Sequence, residues 1–100
     1  MIGVKYDQQK NRMSLIIMGF SRSLQEVGEV GTFGAAKYSD DGWVAVPDGE
    51  RRYTDAMLRH LLKEAEGEVC DPESGLSHAA HVAWNALARL DLMLRRDEVK

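Results

Sequence analysis

His78, His81 and Asn85 stand three and four residues apart in the run HAAHVAWNAL, and Ser74 lies four residues before His78. At roughly 100° per residue the three fall within an arc of about 60° on one side of a helix, and Ser74 extends that arc. Imidazoles and an amide grouped in this way can exchange protons, ligate a metal or hold a ligand. If buried, they cost free energy unless another element supplies hydrogen-bond partners. The competing account is a set of satisfied core histidines or capping groups.

Acids gather just ahead of this arc, at Glu68, Asp71 and Glu73. A capping role for Asp71 and a helix-dipole role for Glu73 would explain two of them. Their number near His78 and His81 still exceeds what capping needs. Glu26 and Glu29, three apart, are neighbours on a helix face, a spacing that lets two carboxylates share one hard divalent cation, although paired glutamates on a helix are more often a solvated face. His60 and Glu64 are four apart beside Tyr53, while Arg59, Lys63 and Glu66 point more outward. An arginine such as Arg59 next to a cavity would clamp phosphate, and Glu64 and Glu66 read as plain surface.

Carboxylate-rich ground that also holds basic residues is what Mg²⁺-dependent phosphoanhydride chemistry requires. The metal neutralises phosphate charge, activates a water and orients the scissile bond. Zinc is disfavoured, because tetrahedral N/S ligation lacks a second thiolate. An HD-type metal phosphohydrolase is disfavoured too, since the chain has no His-Asp dipeptide.

Three helical blocks must position these groups. Leu76, Ala80, Ala83, Leu87, Leu90 and Leu94 recur in alternating steps of four and three, predicting one helix that buries this stripe. Ala88, Leu92, Val82, Ala86 and Met93 make the same helix apolar almost all round, which predicts that the polar arc is buried as well. Asp71 followed by Pro72 reads as its N-cap and first position. A second helix is expected to open at Tyr53 or Thr54, to bury Met57, Leu58, Leu61, Leu62 and Ala65, and to end at Gly67. A first helix, capped by Ser21 or Ser23, is expected to run to about Tyr38. Its Gly28, Gly31 and Gly34 would each cost nearly 1 kcal/mol against Ala, so close helix approach is their expected reason. MSLIIMGF is too short for periodicity to choose between a strand and an anchoring turn, and residues 39–51 read as a loop by their Gly, Pro and Asp content.

The 100 residues predict one domain, with 44% hydrophobic and 29% charged residues and neither repeat nor low-complexity tract. Short connections between amphipathic helices predict an all-α antiparallel bundle, and the apolar surface left over predicts a homo-oligomer, dimer or tetramer. No apolar run reaches the length of a membrane span and the first residues lack a signal-peptide core, so a cytoplasmic protein without membrane partners is expected. The net charge of −3 and pI near 5.5 leave no broad basic surface for duplex nucleic acid. Cys70 is the single cysteine, which excludes an internal disulfide.

KYDQQKNRMSLI, FGAAKYSDDGW, DAMLRHLLKEAEGE and DPESGLSHAAHVAWNAL follow one another in the order and spacing of a phage-associated family described as dATP/dGTP diphosphohydrolases. That family resembles a branch of the all-α, MazG-like nucleoside triphosphate pyrophosphatases. The most specific block is Arg-His-Leu-Leu followed by Gly-Glu-x-x-Asp-Pro-Glu-Ser-Gly-x-x-His-x-x-His-x-x-x-Asn. Lys5, Asp7, Lys10 and Arg12 match the N-terminal Lys-x-Asp-x-x-Lys-x-Arg, Lys37 and Tyr38 match a Lys-Tyr pair, and Arg59, His60, Glu68, Asp71, Glu73, Ser74, His78, His81 and Asn85 match the rest. Gly42-Trp43 departs from the family's Asn-Trp.

The resemblance implies a single nucleotide pyrophosphohydrolase-like domain over residues 1–100. Its implied reaction is Mg²⁺-dependent cleavage of a purine deoxynucleoside triphosphate, dATP or dGTP, to the monophosphate and pyrophosphate, with Mn²⁺ as a second ion. On this reading Glu26 and Glu29 hold metal with Glu68 or Asp71. Lys5, Lys10, Arg12, Lys37 and Arg59 hold phosphates, Asp7 joins the substrate site, and Tyr38 or Trp43 stacks on the base. His60, Glu68, His78, His81 and Asn85 form the catalytic group. The alternative is a nucleotide-binding or assembly protein that keeps the fold without hydrolysis.

Overall fold

The computed structural model describes residues 10–99, and among them the chain is all-α. Helix α1 (Ser14–Ile17) is a single turn, followed by α2 (Ser21–Lys37), a 3-10 turn (Gly42–Ala45), α3 (Gly49–Ala65) and α4 (His78–Val99). The largest packing surface joins α3 to α4. These two run antiparallel, because Arg96 reaches Glu50, Arg89 donates to Thr54 Oγ1 and His78 meets His60 as one helix ascends and the other descends. Gly49 permits close approach at one end, where a Cβ would lie 2.8 Å from Leu92 Cδ1. Helix α2 packs on α4, burying Val30 with Ala80 and Ala88.

The three long helices match the sequence expectation in number, but several boundaries and faces differ. MSLIIMGF forms no strand: its centre is the single helical turn α1, flanked by turn residues. Neither Ser21 nor Ser23 caps α2, whose N-cap is Phe20 without a side-chain hydrogen bond. Residues 39–51 contain the 3-10 turn and the first turn of α3, which starts at Gly49 rather than Tyr53. Asp71 does not cap α4. The helix starts at His78, and Ser77 caps it: Ser77 Oγ accepts from Ala80 N at 3.1 Å and donates to Glu26 Oε1 at 3.0 Å, while the Ser77 carbonyl accepts from His81 N at 3.2 Å. Ser77→Ala should therefore lower stability by about 1 kcal/mol, as loss of an N-cap does. A urea midpoint equal to that of the parent chain would contradict this capping role.

The apolar faces also depart from expectation. Leu58, Leu61 and Leu62 on α3 are exposed, and so are Leu87, Leu90 and Leu94 on α4. The polar arc of α4 is buried, as its apolar surroundings predict: His78 is 1% exposed, Asn85 5% and His81 8%. Both faces of α4 are apolar enough to be covered, and α3 supplies polar partners to only one of them. Of the α2 glycines, Gly31 is the one beside its neighbour, a Cβ there lying 3.4 Å from Trp84 Nε1. Gly28 and Gly34 would meet nothing within 4 Å, so close packing does not explain them.

Candidate functional site

Residues 67–77 form a tight loop that carries the acids to the histidines. The isolated bridge between Cys70 and Ser77 closes it, Asp71 N donates to Leu76 O at 2.8 Å, and His78 N donates to Val69 O at 2.9 Å. Within it Asp71 Oδ2 accepts from Ser74 N at 3.0 Å and Ser74 Oγ accepts from Leu76 N at 3.1 Å. The turn requires left-handed backbone at Gly67 and Gly75, with φ of 97° and 74°, which glycine adopts without a Cβ clash. The local hydrogen bonds thus turn a short polar sequence into a rigid carrier for Glu68, Asp71 and Ser74.

These side chains meet α3 and α4 in one connected group. His78 Nε2 lies 2.7 Å from Glu68 Oε1, and His78 Nδ1 lies 2.8 Å from His60 Nδ1. The His60 ring stacks on that of His81 at 4.4 Å between centroids and 9° between planes. His81 Nε2 lies 2.7 Å from Ser74 Oγ, whose own acceptor side already serves Leu76 N, and Asn85 Nδ2 donates to His81 O at 2.8 Å. Burial pushes the His60 and His81 imidazoles below their ordinary pKa, and neighbouring imidazoles add to the effect. For Asp71 burial acts upward, but hydrogen bonds from Ser74 and the nearby His81 and His60 hold it below the usual carboxylate value. His60 and His81 are therefore neutral imidazoles beside an ionised Asp71 near neutral pH.

Beside it opens a cleft of about 780 Å³ between α2, the 3-10 turn, α3 and α4, within the size range of small-molecule sites. Its lining includes the polar group His60, Asp71, Glu73 and His81 and the aromatic group Trp43, Tyr53 and Trp84. Trp84 stands edge-on to Trp43 at 6.1 Å and to Tyr53 at 5.5 Å. Tyr53 Oη donates to Trp43 O at 2.7 Å, tying the 3-10 turn to α3, and burial raises the pKa of this phenol. Gly28, Gly31 and Gly34 give α2 a bare face on the cleft. Lys37, ion-paired to Glu73, and Arg52 bring positive charge to its wall. The Glu73 carboxylate raises the Lys37 pKa.

The expected site residues thus divide. His60, Glu68, Asp71, His78, His81 and Asn85 come together, and Lys37, Tyr38 and Trp43 line the cleft. Glu26 and Glu29 are exposed on α2, with Glu26 engaged by Ser77, and they do not join Glu68 or Asp71 in a ligand cluster among the described residues. The cluster of ligand atoms that does form is His60, Asp71 and His78. Lys10, Arg12 and Arg59 are exposed and do not line the cleft, and Lys5 and Asp7 lie outside the described residues. Sequence reasoning missed Trp84 and Arg52. Trp84, three residues after His81 and next to Asn85, carried a spacing signal, whereas Arg52 was hidden by the assignment of its surroundings to a loop.

A family model described as dATP/dGTP diphosphohydrolase, N-terminal, matches residues 2–100. A curated protein of Salmonella phage PMBT28, named dATP/dGTP diphosphohydrolase, is 39% identical over 83 residues. That alignment covers 83% of this chain and 27% of the relative, so the chain spans about a quarter of the length of the protein it matches. No solved structure matches the chain. No helix among the described residues is long and apolar enough to cross a membrane.

Proposed function

The chain belongs to the dATP/dGTP diphosphohydrolase N-terminal family, and from that premise we propose that its cleft binds a purine deoxynucleoside triphosphate and hydrolyses it to the monophosphate and pyrophosphate. The observation that carries this reading is the lining of the cleft. An aromatic group suited to a base and a group of imidazoles and carboxylates line the same cleft, with Lys37 and Arg52 on its wall for phosphate. His81 lines the cleft with its Nε2 engaged by Ser74 Oγ, so its imidazole is a fixed polar contact for the ligand at that wall. Asn85, held by its bond to the His81 carbonyl, lines the cleft beside it.

Triphosphate hydrolysis calls for a divalent cation to offset phosphate charge. Mg²⁺ prefers oxygen ligands throughout. The described cluster of two imidazoles and one carboxylate does not match that preference. The all-oxygen set of Glu26 and Glu29 with Glu68 or Asp71 is not assembled.

Pyrophosphate release from a panel of deoxynucleoside triphosphates, with divalent cations supplied singly, tests the proposal. dATP and dGTP should yield pyrophosphate and the monophosphate, with pyrimidine nucleotides turned over much more slowly. Nucleotide binding without any release would favour the non-catalytic binding protein. Failure to bind either purine nucleotide would remove both readings.

We propose further that the protein works as a homo-oligomer, a dimer or tetramer. The buried apolar core of the described residues is only Val30, Ala80 and Ala88, whereas leucines on both α3 and α4 face outward. Exposed apolar area of that extent favours association. Sedimentation equilibrium at micromolar concentration should give a mass above 11.2 kDa. A monomer mass would count against it.

A further inference from the structure

The geometry points to a binding site for one borderline transition-series cation, of the Mn²⁺, Fe²⁺, Co²⁺ or Zn²⁺ class, held by His60 Nδ1, His78 Nδ1 and an Asp71 carboxylate oxygen. All three residues offer a ligand atom within 4.8 Å of the others. They come from three separate parts of the chain, α3, the 67–77 loop and α4, so their meeting is not a by-product of helical spacing. Two imidazole nitrogens at about 2.1 Å from a shared ion, at tetrahedral or octahedral angles, stand roughly 3.0 to 3.4 Å apart. The observed separation of 2.8 Å between the two Nδ1 atoms is within a few tenths of an ångström of that range.

The tautomer of His78 gives the second argument. Glu68 Oε1 lies 2.7 Å from His78 Nε2, and an ionised carboxylate only accepts hydrogen bonds. The ring proton of His78 therefore sits on Nε2, and its Nδ1 lone pair points toward His60 and Asp71. A carboxylate behind the far nitrogen of a ligating histidine is the arrangement that orients metal ligands and raises their basicity. His78 is 1% exposed, so the lone pair is sequestered on the protein side. His60 and Asp71 line the cleft, which leaves coordination positions on that side for water or a ligand oxygen.

Donor chemistry selects the ion. Two neutral imidazoles and one carboxylate, with open positions, suit first-row transition ions, whereas Mg²⁺ prefers oxygen throughout. The same geometry could be met by a simple hydrogen bond between the two Nδ1 atoms, one protonated and one not. Binding decides between these, and its measurement involves no nucleotide, so failure here and failure of the hydrolase reading are separable.

The full chain is stripped with chelator, dialysed and titrated with Co²⁺, followed by visible d–d absorption and calorimetry, with Mg²⁺ in parallel. One Co²⁺ per chain should bind, and a 100-fold excess of Mg²⁺ should not displace it. Asp71→Asn and His60→Gln should weaken Co²⁺ binding at least tenfold, with helicity checked by circular dichroism. Glu68→Gln should weaken it by about 10- to 100-fold, the usual effect of losing an outer carboxylate. Because the Glu68 side chain is 42% exposed, this variant serves if either of the others fails to fold. No Co²⁺ binding, displacement by equal Mg²⁺, or full affinity in folded Glu68→Gln and Asp71→Asn would each overturn the assignment.

Discussion

His78→Leu should cost on the order of 1–3 kcal/mol of stability and abolish Co²⁺ binding in whatever remains folded. The side chain is almost wholly enclosed and bonds His60 on one nitrogen and Glu68 on the other. Leucine fills a similar volume, so little of the loss comes from a cavity. It comes from His60, whose Nδ1 is left without a partner in a half-buried setting, at the usual penalty for an unsatisfied polar group. Glu68, with a more open side chain, recovers water. A loss of this size is a large share of the total stability of a small domain.

The double variant His60→Leu/His78→Leu separates stability from function at the same position. Replacing both members of a hydrogen-bonded pair by apolar groups is often close to neutral, because no donor or acceptor is left stranded. The urea midpoint should therefore recover most of what His78→Leu loses. Co²⁺ binding should not recover at all. If the double variant is as unstable as the sum of the single ones, the Nδ1 contact is not the source of the cost.

These expectations rest on contacts that the sequence disclosed only in part. Helical spacing placed His78, His81 and Asn85 on one arc of α4, and the surrounding apolar residues argued that the arc was covered. Spacing within a helix gives relative angles, however, and not which side meets a neighbour. Ala80, Leu87, Leu90 and Leu94 form an equally periodic stripe, and nothing local says that the leucines stay outward while the imidazoles turn in. That choice is made by His60 on α3 and by the loop acids, partners fixed through long-range register. Likewise Asp71-Pro72 carries a strong local helix-start signal, yet Asp71 spends its carboxylate on Ser74 N inside a turn, and the cap passes to Ser77. Glu26 and Glu29 show the reverse case. Their spacing suits a shared ion, but metal binding needs further ligands, and none of the described acids is brought to complete that set.

Gly34→Leu should raise stability by about 0.5–1 kcal/mol and lower purine nucleotide turnover, as kcat/KM, at least tenfold. The two effects have opposite signs because they arise from different sides of the same residue. Gly34 lies within α2, where glycine is nearly 1 kcal/mol poorer than a good helix former, and leucine is among the better ones. A Cβ there would meet nothing within 4 Å, so the branch point of the new side chain displaces no neighbour. Gly34 is among the residues of α2 that line the cleft, so the added side chain is expected to take up space there. Gly31 is a poorer choice for the test, since its Cβ would press against Trp84 and mix packing with occupancy. Urea denaturation and steady-state kinetics on the one Gly34→Leu protein decide the matter. A chain that becomes more stable and keeps full turnover would mean that the nucleotide does not lie against α2, and the cleft would cease to be its site.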